Sequence, residues 1–97
     1  MNEIVILLGA EIDMQALYER QASLARAERL EARILAAFQQ LVRFPRSASE
    51  FTESFRCYRL SAFPYALYYK IEGRRIVIHA ALDTRQDQDS IRRRLGL

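Results

Sequence analysis

One cysteine, two prolines, three glycines, a single lysine and a single histidine stand in this chain of 97 residues, and tryptophan is missing altogether. Each scarcity excludes something. With Cys57 alone there is no intrachain disulfide framework, as expected of a protein from a reducing compartment. The longest apolar run near the N-terminus, Ile4 to Leu8, follows Glu3 and has no basic stretch ahead of it. It is too short for a signal peptide or a membrane span, so the expected location is the cytoplasm, away from any membrane. There is no HExxH, no Gly-rich phosphate loop and no nucleophile beside a base. No metal and no cofactor are expected. The lack of proline and glycine between Glu11 and Phe44 leaves that stretch free to be helical.

What is present is ordinary in amount and uneven in placement. The chain is 51% hydrophobic and 28% charged, a globular balance, and its length fits one domain spanning residues 1–97. Residues 1–53 hold six arginines and eight acids, a net −2; residues 54–97 hold eight arginines, Lys70 and four acids, a net +5. A basic half points to an acidic partner, either nucleic acid or a protein segment, or else to a solvated surface. Cationic residues are nearly all arginine, whose planar fork suits carboxylates and phosphates.

The hydrophobic pattern predicts the elements. Ile4 to Leu8 reads as a strand buried on both faces and ended by Gly9. Leu30, Ile34, Ala37, Phe38 and Leu41 form one helical face, and Met14, Leu17, Tyr18, Gln21 and Leu24 recur at similar spacing. One rod over that whole stretch would be about 50 Å long, too long for the domain, so it must bend. Gln21-Ala22-Ser23 is the predicted break, with Ser23 capping the second helix, and Phe44-Pro45 is the stop. The polar run from Arg46 to Ser54 reads as a loop. Arg56 to Ser61 reads as a strand, and two more strands follow around a turn at Glu72-Gly73. Tyr65, Leu67, Tyr69 and Ile71 share one face of the first of these two. Strict alternation then puts Ile76, Ile78, Ala80 and Leu82 opposite Val77, His79, Ala81 and Asp83, a sheet covered on one side only. Asp87 is placed to cap a short terminal helix with Asp89 at its start and three arginines at its end. The fold class is α+β: an N-terminal strand, an antiparallel helical hairpin packed on an antiparallel sheet (β-α-α-β-β-β), and a short C-terminal helix.

Acid–base chemistry on an anionic substrate needs a base, an acid and cations to hold the charge. The available residues are His79, Asp83 and Arg85, with His79 and Asp83 expected on one strand face. Their spacing is not diagnostic, and a lone strand histidine has a structural reading too. The stronger set for binding a target or partner is Arg56, Arg59, Lys70, Arg74 and Arg85, with Arg75 beside them. Interleaved tyrosines, Tyr68 among them, either stack on bases or pack the sheet. Ile91 and Leu95 give the terminal helix a narrow apolar edge, to dock on the sheet or to be covered by a partner. Cys57 reads as core.

Three stretches carry a family resemblance. They are the opening EIVILLGAEIDMQALYE, the Phe44-Pro45 stop, and FPYALYYKIEGRRIVIHAALDTRQD from Phe63 to Asp87. Together with the element order they resemble the RelE/ParE superfamily of type II toxins, and most closely its ParE branch, the plasmid stabilisation proteins. The last stretch is similar to the family's hairpin and closing basic motif. That motif often begins with histidine and holds two arginines, where this chain has Asp83 and Gln86. The resemblance implies a toxin that arrests growth by binding and inhibiting DNA gyrase, held inactive by a small, partly disordered cognate antitoxin. Its RelE-like relatives instead cut mRNA on the ribosome, and a non-toxic binding module of the same fold is a third possibility. On any of these, the basic end of the sheet is implied to face the target, the antitoxin, or both.

Overall fold

A computed structural model describes all residues, Met1–Leu97. The chain runs β1 (Glu3–Ile6), α1 (Leu8–Glu19), α2 (Leu24–Arg43), β2 (Ser49–Thr52), β3 (Phe55–Arg59), β4 (Tyr65–Glu72), β5 (Arg75–Asp83) and α3 (Gln88–Arg94). No helix is long and apolar enough to cross a membrane.

The helical hairpin forms where the pattern breaks. Ser23 is the N-cap of α2, its side chain accepting from the Arg26 N–H at 3.2 Å. Gln21, in the bend, donates to the Leu17 carbonyl and to the Tyr65 hydroxyl, which ties the hairpin's tip to the start of β4. Leu30, Ile34, Ala37 and Leu41 are buried against the sheet, the stripe expected from their spacing. At the other end of the chain Asp87 caps α3, accepting from the Ser90 N–H at 2.8 Å.

The sheet departs from expectation in four ways. It has five strands in the order β1-β5-β4-β3-β2, and it is mixed, because β1 runs parallel to β5. The added strand, β2, lies in the polar run read as a loop; it pairs with β3 through Ser49, Glu50 and Thr52, with a register shift between Glu50 and Thr52. A short, mostly exposed edge strand need not alternate apolar and polar residues, so its sequence carries no period. β1 is the other edge, half-exposed rather than buried on both faces. It stops at Ile6, and Gly9 lies in the first turn of α1 instead of ending the strand.

The fourth departure is a bulge in β5. Tyr68 pairs with Ala80 and Tyr69 with Ile78, which leaves His79 without an opposite residue. One extra residue exchanges the two faces of everything that follows it. Ile76 and Ile78 pack under the hairpin, and after the bulge Ala81 does so, while Ala80 packs on the opposite side. That opposite side is not bare. α3 covers it, burying Ile91 with Cys57, Ala66, Tyr68 and Ala80.

Candidate functional site

The expected catalytic trio is not brought together. Asp83 lies at the end of β5, and Arg85 grips it with two bonds, Nε to Oδ1 at 3.0 Å and Nη2 to Oδ2 at 2.7 Å. Arg20, at the end of α1, adds a third contact at 3.2 Å. The hydrogen bonds from Arg85, and then the charges of Arg85 and Arg20, hold the Asp83 carboxyl below its usual range, at about 2. A carboxylate so firmly ionised is a weak proton acceptor at neutral pH. His79 belongs to the other side of the sheet because of the bulge, which corrects its expected place beside Asp83. Its ring meets Phe55 edge-on at 5.0 Å, and its buried Nε2 has no hydrogen-bond partner. Burial, and then the charge of Lys70, push its pKa down, so the ring is neutral at physiological pH.

The basic set is split as well. Arg56 faces the hairpin side and is occupied: it donates to the carbonyls of Ala48 at 2.8 Å and Arg46 at 3.4 Å and pairs with Glu50. It fastens the loop after α2. Lys70 lies over the Phe55 ring at 4.6 Å on the α3 side. Arg74 is exposed in the turn made by Gly73, whose φ is +61°. Arg75 pairs with Glu3 across the edge. Tyr68 is 2% exposed, so its ring is packing and offers no face for a base to stack on. Ile91 is 3% exposed and Leu95 packs beside it, so this edge of α3 docks on the sheet.

Arg59 does stand open. It borders a cleft of about 300 Å³ between β2, β3 and α3, together with Phe51, Cys57, Tyr68, Thr84 and Arg92. Arg92 donates to the Thr52 hydroxyl at 3.3 Å, and neither Arg59 nor Arg92 has a carboxylate partner. Glu50 at the rim is taken by Arg56. Burial pushes up the thiol of Cys57 and the phenol of Tyr68, so both stay protonated. The cleft therefore presents two cations and hydroxyl donors to an anion, with no activated nucleophile.

A second hollow, of about 310 Å³, lies between α1 and α2 and is lined by Ile6, Met14, Tyr18, Ile34, Leu35 and Phe38. Two of its lining residues, Ile6 at the end of β1 and Leu35 on α2, are exposed, and so are Leu8 and Ile12 of α1. Glu11 and Glu31 flank the hollow. Burial, and then Glu31, raise the pKa of Tyr18 there.

Sequence reasoning missed the contact that fastens α3. Arg94 passes over Gly9 and donates to Asp13 at 2.7 Å, and the same Asp13 oxygen accepts from the Ala81 N–H at 3.1 Å. A Cβ on Gly9 would come within 2.9 Å of the Arg94 guanidinium. Asp13 and Arg94 are 81 positions apart, so no local pattern announces the pair.

No curated protein matched the sequence. Among solved structures the fold is similar to one described as the chromosomal ParDE TA system from P. aeruginosa. The TM-score is 0.72 at 18% identity, over 84% of this chain and 94% of that one. The family model described as ParE toxin of type II toxin-antitoxin system, parDE, matches residues 4–88, from β1 to the start of α3. The chain belongs to the ParE toxin family.

Proposed function

We propose that residues 1–97 act as one toxin unit that arrests growth by binding DNA gyrase, and that a cognate antitoxin neutralises it in the cytoplasm. Membership of the ParE toxin family carries this proposal. The locked Asp83 and the distant, neutral His79 support inhibition by binding over chemistry, because no poised base stands near Arg85. Arg59, Lys70, Arg74 and Arg85 remain the cations proposed for target contact. The antitoxin's place is proposed to be the hollow between α1 and α2, where an amphipathic segment covers Ile6 and Leu35 as it folds.

One observation favours a second reading. Arg59 and Arg92, neither with a carboxylate partner, line a cleft on the α3 side, and a ribosome-dependent ribonuclease needs such cations on the RNA phosphate. Pulse-labelling of DNA and protein synthesis just after inducing this chain alone separates the two. DNA synthesis falling first, with gyrase cleavage complexes accumulating, is the expected result. Protein synthesis falling first, with discrete mRNA cuts lost in Arg59→Ala, would establish the nuclease. Normal growth under strong induction would make the chain a non-toxic binding module.

A further inference from the structure

Phe44 is a large aromatic side chain that the core does not use. It caps the C-terminus of α2 and is 53% exposed. The Arg43 guanidinium lies 5.6 Å from its ring centroid. The backbone behind it is fastened at every step. The Phe44 N–H donates to the Gln40 carbonyl at 2.8 Å, and the Ser47 N–H to the Phe44 carbonyl at 3.0 Å. The hydroxyl of buried Tyr69 donates to the Pro45 carbonyl at 2.6 Å, and Arg56 holds the carbonyls of Arg46 and Ala48. Asn2 donates to the Val42 carbonyl at 3.1 Å, which brings the N-terminal segment to the same corner.

The result is an open cleft of about 580 Å³ lined by Asn2, Arg43, Phe44, Arg46, Ile71 and Gly73, with Pro45 and Ser47, and no carboxylate lines it. The ion pairs of the molecule all lie elsewhere, so Arg43 and Arg46 have their charges free. We propose that this cleft docks an acidic protein segment, which sets an apolar side chain against Phe44 and Ile71 and its carboxylates on Arg43 and Arg46. Three considerations select that occupant. An aromatic and arginines around a concavity are the composition of interface hot spots. A loop already fixed loses little freedom on binding. Two forked cations beside apolar walls match carboxylates flanking a hydrophobic residue, whereas a nucleic-acid strand is gripped by a longer track of cations and stacking rings. The site is independent of which target the toxin poisons.

Amide chemical-shift titration of the isotopically labelled full chain tests this. The probe is a short Glu/Asp-rich peptide with a central Phe and Leu. Controls are the same peptide with Gln and Asn for its acids, and a short single-stranded oligonucleotide of equal charge. Shifts are expected to centre on Arg43, Phe44, Arg46, Ile71 and Gly73, and to be weak with the amide peptide. Phe44→Ala and Arg46→Glu should each weaken the acidic peptide about tenfold. Both variants should keep the parent melting temperature, since the Phe44 ring is half in solvent. No binding of the acidic peptide, equal binding of the amide peptide, undiminished binding by either variant, or stronger perturbation by the oligonucleotide would each overturn the proposal.

Discussion

Under the hairpin the sheet buries two clusters, of ten and six residues, built on Leu30, Ile34, Leu41, Tyr69 and Ile78. Under α3 the same sheet buries five, and the helix itself supplies only Ile91 fully. The remaining hold on α3 comes from partly buried Leu95 and from two polar bonds, Arg94 to Asp13 and Arg92 to Thr52. The hairpin face is thus closed by packing, and the α3 face is latched. Packing is lost only when the domain unfolds, while a latch of a few hydrogen bonds opens locally at lower cost.

The comparison breaks or sharpens under four tests. Leu30→Ala, at a fully buried hairpin position, should cost about 2–5 kcal/mol, a large share of a small domain's stability. Urea denaturation measures it, and a loss below about 1 kcal/mol would mean that the hairpin packing is not what holds the fold. Ile91→Ala should cost less, about 1–2 kcal/mol, because α3 lifts off before the sheet fails. Amide exchange should quicken in residues 88–95 while β4 and β5 stay protected; if both speed up together, the two faces are one unit. Next is Asp83. Its folded pKa lies below the ordinary 3.8, so the stabilisation is complete above about pH 5 and disappears as pH falls through about 2. Arg20 and Arg85 are mostly in solvent, which limits the contribution to below about 1 kcal/mol. Asp83→Asn should therefore be slightly less stable than the parent at pH 7, with the gap closing on acidification. A gap that widens in acid would refute the assignment.

The smallest effect is expected at Gly9. Gly9→Ala pushes against the movable end of Arg94 and also improves the helix, by up to about 1 kcal/mol. Global stability should stay within about 0.5 kcal/mol while exchange in α3 rises. Unchanged exchange in α3 would show that the Arg94–Asp13 bond is no latch.

The legible parts of the fold were those written locally. Ser23 and Asp87 announce their helices because a cap is a residue type at one position, and the stripe from Leu30 to Leu41 announces its face by period. β2 was hidden because an exposed edge strand has no face to encode. The reversal at His79 was hidden because a bulge is fixed by the partner strand, and alternation read along β5 alone cannot see it. Site residues followed the same division. Residue type drew attention to Arg56 and Tyr68, but their partners decided their roles: one clamps a loop and the other fills the core. Phe44 was noticed only as a helix stop, since exposure at a cap has no sequence signature.

The parallel pairing of Glu3 with Arg75 joins positions 72 apart (75 − 3). β1 has no other strand to pair with, so the first strand to be synthesised must wait for the fifth. Closing so long a loop is entropically slow, and until it closes the nascent chain carries β1 with its backbone unpaired. A fragment that stops short of β5 cannot build this sheet, so the fold is made whole or not at all.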